Sequence, residues 1–283
     1  MDFHREPNTF VGNVKLKVAN LERSLQFYQQ IIGFNVLERT KTTAVLTADG
    51  KTDLVTIEQP ANVEPKQGRT TGLYHFALLL PQRSDLADIV NHFVQNGIQI
   101  GSSDHLVSEA LYLSDPDGNG IEIYVDRVPS EWDWNNGEVA MAVDPLDFAD
   151  LLSTSKEGKG WNGLPVGTVM GHIHLHVSQL KQAEEFYTKG LGFNVVNRFG
   201  TQALFISTGN YHHHIGLNTW AGVGAPTPPV TSTGLGSFTL VFPNEESRGR
   251  VVANLKAIGS SVMEENDLFV TVDPSGNRIN LQV

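Results

Sequence analysis

The 283-residue chain contains no cysteine, which excludes disulfides, thiolate nucleophiles, zinc fingers and cysteine-held iron–sulfur clusters. It also lacks any run of about 18 apolar residues, the length that a membrane-spanning helix requires. Basic residues are scarce: 20 Lys and Arg stand against 31 Asp and Glu, for a formal net charge of −11 and a pI near 5.3. Sequence-independent nucleic-acid binding needs clustered cations to neutralise phosphates, so no nucleic-acid partner is expected. The opening segment MDFHREPNTF has neither the basic nor the apolar region of a secretory signal. With the absent cysteines, this sets the expectation of a reducing, cytoplasmic setting and no membrane partner. What remains is 40% hydrophobic and 18% charged, ample for a large core, and includes ten histidines. Any resident metal must therefore be held by His, Asp and Glu.

The chain repeats itself. Lys15–Gly50 and His174–Gly209 align without a gap, sharing a Phe-Tyr pair and the tetrapeptide GFNV. GLYHFALLLP (72–81) matches GLGSFTLVFP (234–243), and DPDGNGIEIYV (115–125) matches DPSGNRINLQV (273–283). Three blocks that keep their order and nearly their spacing mark an internal duplication. Two domains are expected, 9–126 and 169–283, joined by a polar, Trp- and Gly-containing connector at 127–168 with one short helix near Pro145–Leu152.

Each half divides again. Alternation over Val14–Val18 predicts a strand, and apolar spacing over Leu21–Ile32 predicts a helix stopped by Gly33. Short strands follow near Asn35–Glu38, Ala44–Thr47 and Leu54–Glu58. The order then restarts with a strand at Tyr74–Leu80 and a helix at Asp85–Asn96 stopped by Gly97. Strands are expected near Ile98–Ile100, Ala110–Ser114 and Gly120–Val125, the last two joined by a tight turn at Asp115–Asn119. The reading is an α+β chain of four βαβββ modules, about 50 residues each.

Nine of the ten histidines fall in the second and third modules: His75, His92, His105, His172, His174, His176, His212, His213 and His214. The repeat places Asn13, His75, His172 and Ser237 at equivalent points of the four first strands, and Glu122 opposite Asn280 on the last strands. A carboxylate among Ile121, Ile123 and Tyr124 is costly to bury unless paired or on a metal, although an outward-facing Glu122 is the alternative. His172, His174 and His176 alternate and share one face, but a straight strand spreads them too far for all three to serve one ion. His92 is expected on the solvent side of its helix, and His4 in a loose N-terminal arm.

Four such modules, with Phe-Tyr…Gly-Phe after the first helix and Asp-Pro-x-Gly-Asn before the last strand, resemble the vicinal-oxygen-chelate (glyoxalase/bleomycin-resistance/dioxygenase) superfamily. The likeness covers nearly the whole chain outside the connector. It implies modules paired into two open barrels, each curled around a metal site. Within the superfamily the sequence resembles extradiol ring-cleaving dioxygenases, and among them bacterial catechol-2,3-dioxygenases. The residues that carry this are His172, His75-Phe76, Tyr112 before Pro116-Asp117-Gly118, Glu122, and the His-His pair before Ile215-Gly216-Leu217. The resemblance implies His75, Glu122 and His172 as metal ligands, with His172 preferred to His174. Two imidazoles and a carboxylate suit non-haem Fe(II), with Mn(II) using the same donors. It further implies His213, Tyr112 and His105 as catalytic residues acting on a catechol and O2. Because Asn13, Ser237 and Asn280 replace the donors elsewhere, modules 2 and 3 are expected to form the active barrel and modules 1 and 4 an empty one. Exposed edges of such barrels suit a homodimer. Glyoxalase-I-like isomerisation would want a second carboxylate or amide ligand and a glutathione-binding basic patch. Epoxide-opening thiol transfer and metal-free binding of an aromatic drug are the remaining alternatives.

Overall fold

The computed structural model of the chain describes residues 3–155, 161–265 and 268–283. The first module runs β1 (Phe10–Lys17), α1 (Leu21–Phe27), β2 (Asn35–Arg39), β3 (Thr43–Thr47) and β4 (Val55–Glu58). The second runs β5 (Gly72–Leu79), α2 (Arg83–Gln95), β6 (Gly101–Asp104), β7 (Ser108–Ser114) and β8 (Gly120–Asp126). The connector holds a small hairpin, β9 (Trp134–Asn135) and β10 (Glu138–Val139), and a helix α3 (Phe148–Ser153). The third module has β11 (Val169–His176), α4 (Leu180–Glu185), β12 (Asn194–Phe199), β13 (Ala203–Ser207) and β14 (Ile215–Asn218). The fourth has β15 (Gly234–Val241), α5 (Glu245–Ala257), β16 (Val262–Glu265), β17 (Leu268–Val272) and β18 (Arg278–Gln282). Among the described residues no helix is long and apolar enough to cross a membrane.

Two eight-stranded sheets result, and each takes one module from each half of the chain. One runs β16-β17-β18-β15-β1-β4-β3-β2 and the other β12-β13-β14-β11-β5-β8-β7-β6. Modules 1 and 4 therefore pair through β1 against β15, and modules 2 and 3 through β5 against β11. Apolar residues of the central strands, such as Phe76, Leu78, Ile173 and Leu175, pack into one core shared with both sheets.

The motifs that resemble the superfamily prove to be structural clamps. Asp115 Oδ1 accepts from the amides of Asp117 and Asn119, and Oδ2 from Asn119 Nδ2 at 2.9 Å. Its Oδ2 also accepts from the Tyr28 hydroxyl at 2.9 Å. Tyr28 belongs to module 1 and Asp115 to module 2, so a buried hydrogen bond ties modules of different sheets. Tyr187 and Asp273 repeat the bond in the opposite sense at 3.0 Å. Expected and observed helices differ here: Leu21–Ile32 is α-helical only to Phe27 and closes as a π turn over Tyr28–Ile32, where Gly33 and Phe34 both donate to the Tyr28 carbonyl. Gly33 ends it at φ 94°, and a side chain there would strike the Gly163 backbone. Tyr28→Phe should cost about 1–3 kcal/mol by leaving Asp115 short of a buried donor, measured as a lower urea midpoint with an unchanged slope.

Other local expectations shift. The strand expected at Ile98–Ile100 begins later, at Gly101, because Ile98 and Ile100 pack on the core instead of joining the ladder. His4 is not in a loose arm: its Nε2 lies 2.8 Å from the Gly171 carbonyl, and its ring packs on Tyr211 and His214. His92 is likewise only half-exposed, with its ring stacked on Trp161.

Candidate metal centre

Each first strand has eight residues, and Asn13, His75, His172 and Ser237 are the fourth of β1, β5, β11 and β15. A bulge just before that position, at Tyr74 in β5 and Gly171 in β11, resets the alternation. Leu73 and Phe76 thus face the core while His75 faces the barrel interior, and Met170 and Ile173 flank His172 in the same way. Glu122 comes in from β8, paired to Ala77. It lies between two neighbouring strands rather than at an edge and is almost fully buried.

Three atoms converge. His75 Nε2 is 3.0 Å from Glu122 Oε2, His172 Nε2 is 3.1 Å from the same oxygen, and the two imidazole nitrogens are 3.4 Å apart. Among the described residues these three side chains are the one group of His, Asp or Glu so placed. Three donors on one face of an octahedron, with bonds of about 2.1–2.2 Å, stand about 3.0 Å apart. The donor triangle is thus the right size for a first-row metal ion. Burial pushes the His172 imidazole down to about 4. Burial by itself would raise the Glu122 carboxyl, but the facing imidazoles of His172 and His75 hold it well below the usual carboxylate range. A neutral His172 imidazole beside an ionised carboxylate is the pairing of protonation states that a divalent cation needs.

His174 does not join the triangle. Two residues beyond His172, it pairs across the strands with His75, and its buried Nε2 has no hydrogen-bond partner. Opposite it on β14 is Gly216, where a Cβ would meet the His174 ring at 2.8 Å. Gly216 occupies the position that corresponds to Glu122 in the other module, so imidazole fills the space in which a second carboxylate ligand would lie.

A cavity of ≈ 340 Å³ opens on the triangle. His213, His105 and Tyr112 all line it, so the six residues singled out from the sequence gather at one place. The His213 ring sits 4.1 Å from that of His172, centroid to centroid. His212, His213 and His214 precede β14 in a loop, which frees them from strand alternation. His214 turns away to the Phe3 carbonyl at 3.1 Å. His105 Nδ1 must donate to the Ala142 carbonyl at 2.7 Å, so in the neutral ring Nε2 accepts from the Tyr112 hydroxyl at 2.6 Å. Burial and the nearby Glu122 carboxylate raise the Tyr112 phenol well above its ordinary value.

Several contributors carried no sequence signal. Met141, Ala142 and Val143 of the connector form one wall of the cavity, and Phe205, Trp220 and Tyr74 supply aromatic surface. In the other barrel the equivalent positions are filled by neutral or cationic groups. Thr239 donates to Asn13 at 2.9 Å, Asn280 lies beside Thr239, and Lys15 pairs with Glu58 at 2.6 Å.

A sequence profile of the Glyoxalase/Bleomycin resistance protein/Dioxygenase superfamily matches residues 11–123 and again 169–281. The chain is 47% identical over 270 residues to the catechol-2,3-dioxygenase of Bacillus subtilis (strain 168), covering 94% of each. It is 30% identical over 147 residues, 48% of this chain and 77% of the relative, to the biphenyl-2,3-diol 1,2-dioxygenase 3 of Rhodococcus globerulus. In fold it resembles glyoxalase I from Zea mays, with a TM-score of 0.60 at 14% identity over 96% of this chain and 92% of that one. Two matched segments, two sheets of paired βαβββ modules and this degree of identity place the chain in the Glyoxalase/Bleomycin resistance protein/Dioxygenase superfamily.

Proposed function

We propose that the protein is a catechol-2,3-dioxygenase-like enzyme that cleaves a catechol-type ring by the extradiol route, using O2 at a non-haem Fe(II) held by His75, His172 and Glu122. The observation that carries this is the donor triangle of two imidazoles and one carboxylate at the floor of an aromatic-lined cavity. When bound, Fe(II) supplies adjacent open positions for the two catechol oxygens and for O2. One carboxylate leaves a divalent site net positive, which favours an anionic catecholate.

The chain's own groups do the rest. Burial keeps His213 neutral, so it can accept a catechol proton in the cavity. Tyr112, whose proton is committed to His105, turns its hydroxyl oxygen toward the same region as a hydrogen-bond acceptor or, after a shift of that proton, a donor. The aromatic walls of Phe205, Trp220 and Tyr74 suit a flat ring. Both atoms of O2 enter the product, a 2-hydroxymuconic semialdehyde, so no external reductant is needed. The Mn(II) alternative uses the same donors.

Metal-free protein loaded with Fe(II) without air, then given catechol and O2, should form yellow ring-opened product with one O2 consumed per catechol. Failure to form it, with consumption of a glutathione–methylglyoxal adduct instead, would move the assignment to an isomerase. Gly216, in place of a second carboxylate, argues against that outcome.

A further inference from the structure

Behind His213 lies a second layer of polar groups that no ligand role accounts for. His212 is fully buried, enclosed by Trp132 of the connector, Tyr211 and Tyr124. Its Nε2 is 2.7 Å from Asp126 Oδ1, and its Nδ1 is 2.8 Å from Nδ1 of His213. Asp126 ends β8, four residues after Glu122, and so shares its strand face. The carboxylate also accepts from the Tyr211 hydroxyl at 3.2 Å, and Tyr211 is in turn 2.6 Å from the Tyr124 hydroxyl.

Hydrogen-bond polarity then propagates in one direction only. An ionised Asp126 can only accept, so neutral His212 carries its proton on Nε2 and presents a bare Nδ1. Two bare nitrogens cannot share a hydrogen bond, so His213 carries its proton on Nδ1. The nitrogen left without a proton is His213 Nε2. We infer that Asp126, acting through His212, is a positioning residue that fixes the His213 tautomer and leaves its Nε2 lone pair for the substrate. The device differs from a carboxylate–imidazole pair by one inserted ring. Because Trp132, Tyr211 and Tyr124 exclude water from His212, no solvent molecule can supply an alternative donor or acceptor there.

The inference rests on the proton-accepting role proposed for His213, but the tautomer is measurable without any reaction. In metal-free protein with ¹⁵N-labelled histidine, long-range ¹H–¹⁵N spectra should show the His213 proton on Nδ1. Asp126→Leu removes the acceptor of the His212 Nε2 proton without offering another, and should let the His213 proton populate Nε2. Asp126→Glu, which can only accept, should restore the wild-type pattern and confirm that folding is not the cause. A wild-type proton on Nε2, or a tautomer unmoved by Asp126→Leu, would overturn the inference whatever the enzyme's substrate. In the iron-loaded enzyme, Asp126→Leu should lower kcat on the order of 10²-fold with little change in KM. In a His213→Phe background the same substitution should have no further effect on kcat. An equal loss in both backgrounds would identify Asp126 as merely structural. If catechol is not turned over at all, the proposed reaction fails while the spectra still decide the tautomer.

Discussion

His213→Phe is expected to keep its iron and lose about 10²–10⁴-fold of kcat, the usual contribution of a positioned general base. Phenylalanine retains a planar ring in the space between His172 and Phe205, while the donor triangle resides wholly on other side chains. Metal content by elemental analysis should therefore match the wild type. The substitution strands His212 Nδ1, so a stability loss of about 1–3 kcal/mol accompanies it, and kinetics belong well below the lowered melting temperature. Because the substrate's oxygens would be held at the metal, KM should change far less than kcat. Activity within a few-fold of wild type would transfer the proton-accepting role to the Tyr112–His105 pair, in which the phenol oxygen would take the substrate's proton as its own passes to His105 Nε2. Tyr112→Phe should cost less than His213→Phe, since it removes a hydrogen bond rather than a base.

The repeat made the modules, their order and the three convergent donors legible, because a duplicated chain prints each structural position more than once. Equivalence of Asn13, His75, His172 and Ser237 is a statement about register, and sequence holds register well where apolar residues alternate. It holds bulges poorly. An uninterrupted alternation would send His75 to the same face as Leu73, and only the extra residue at Tyr74 separates them. The bulge at Gly171, where a Cβ would collide with the Tyr124 hydroxyl, sets the face that His172 and His174 share, and position along the strand separates them: His172 reaches Glu122 while His174 lies against Gly216. Contacts that close at long range were illegible for a different reason. Nothing local in Asp126 or Trp132 indicates that they end beside the histidine loop, or in Ala142 that it meets His105, since each of these contacts joins distant parts of the chain. One hint was available: Asp126 follows Glu122 at strand spacing on the same face, as a second carboxylate directed at the same barrel.

Acid should destabilise the metal-free protein steeply from about pH 6.5 down to about pH 4. Five imidazoles, those of His172, His174, His176, His213 and His214, are held below their ordinary value, in each case chiefly by burial. A histidine whose folded-state value is depressed binds its proton more readily when unfolded. The unfolded chain is thus favoured progressively once pH falls below about 6.5, and the effect saturates below the folded-state value. For His172, pushed to about 4, the loss amounts to about 3 kcal/mol across that window, a large fraction of a typical domain's stability. Glu122 continues the decline at lower pH, because its depressed folded-state value contributes stability only above the ordinary carboxylate range. Asp115 and Asp273 run the other way: burial raises both, so protonation relieves the fold. Their opposition lies above the ordinary carboxylate value and subtracts from the imidazole effect where the two windows overlap. Urea midpoints at pH 7.5, 6.5, 5.5 and 4.5 should therefore fall monotonically with an unchanged slope. His214 allows the effect to be tested away from the metal centre: His214→Gln can still donate to the Phe3 carbonyl and should flatten the profile while leaving the donor triangle intact. A flat wild-type profile would mean that these rings already share protons in the folded state, and that the site is not held neutral by burial.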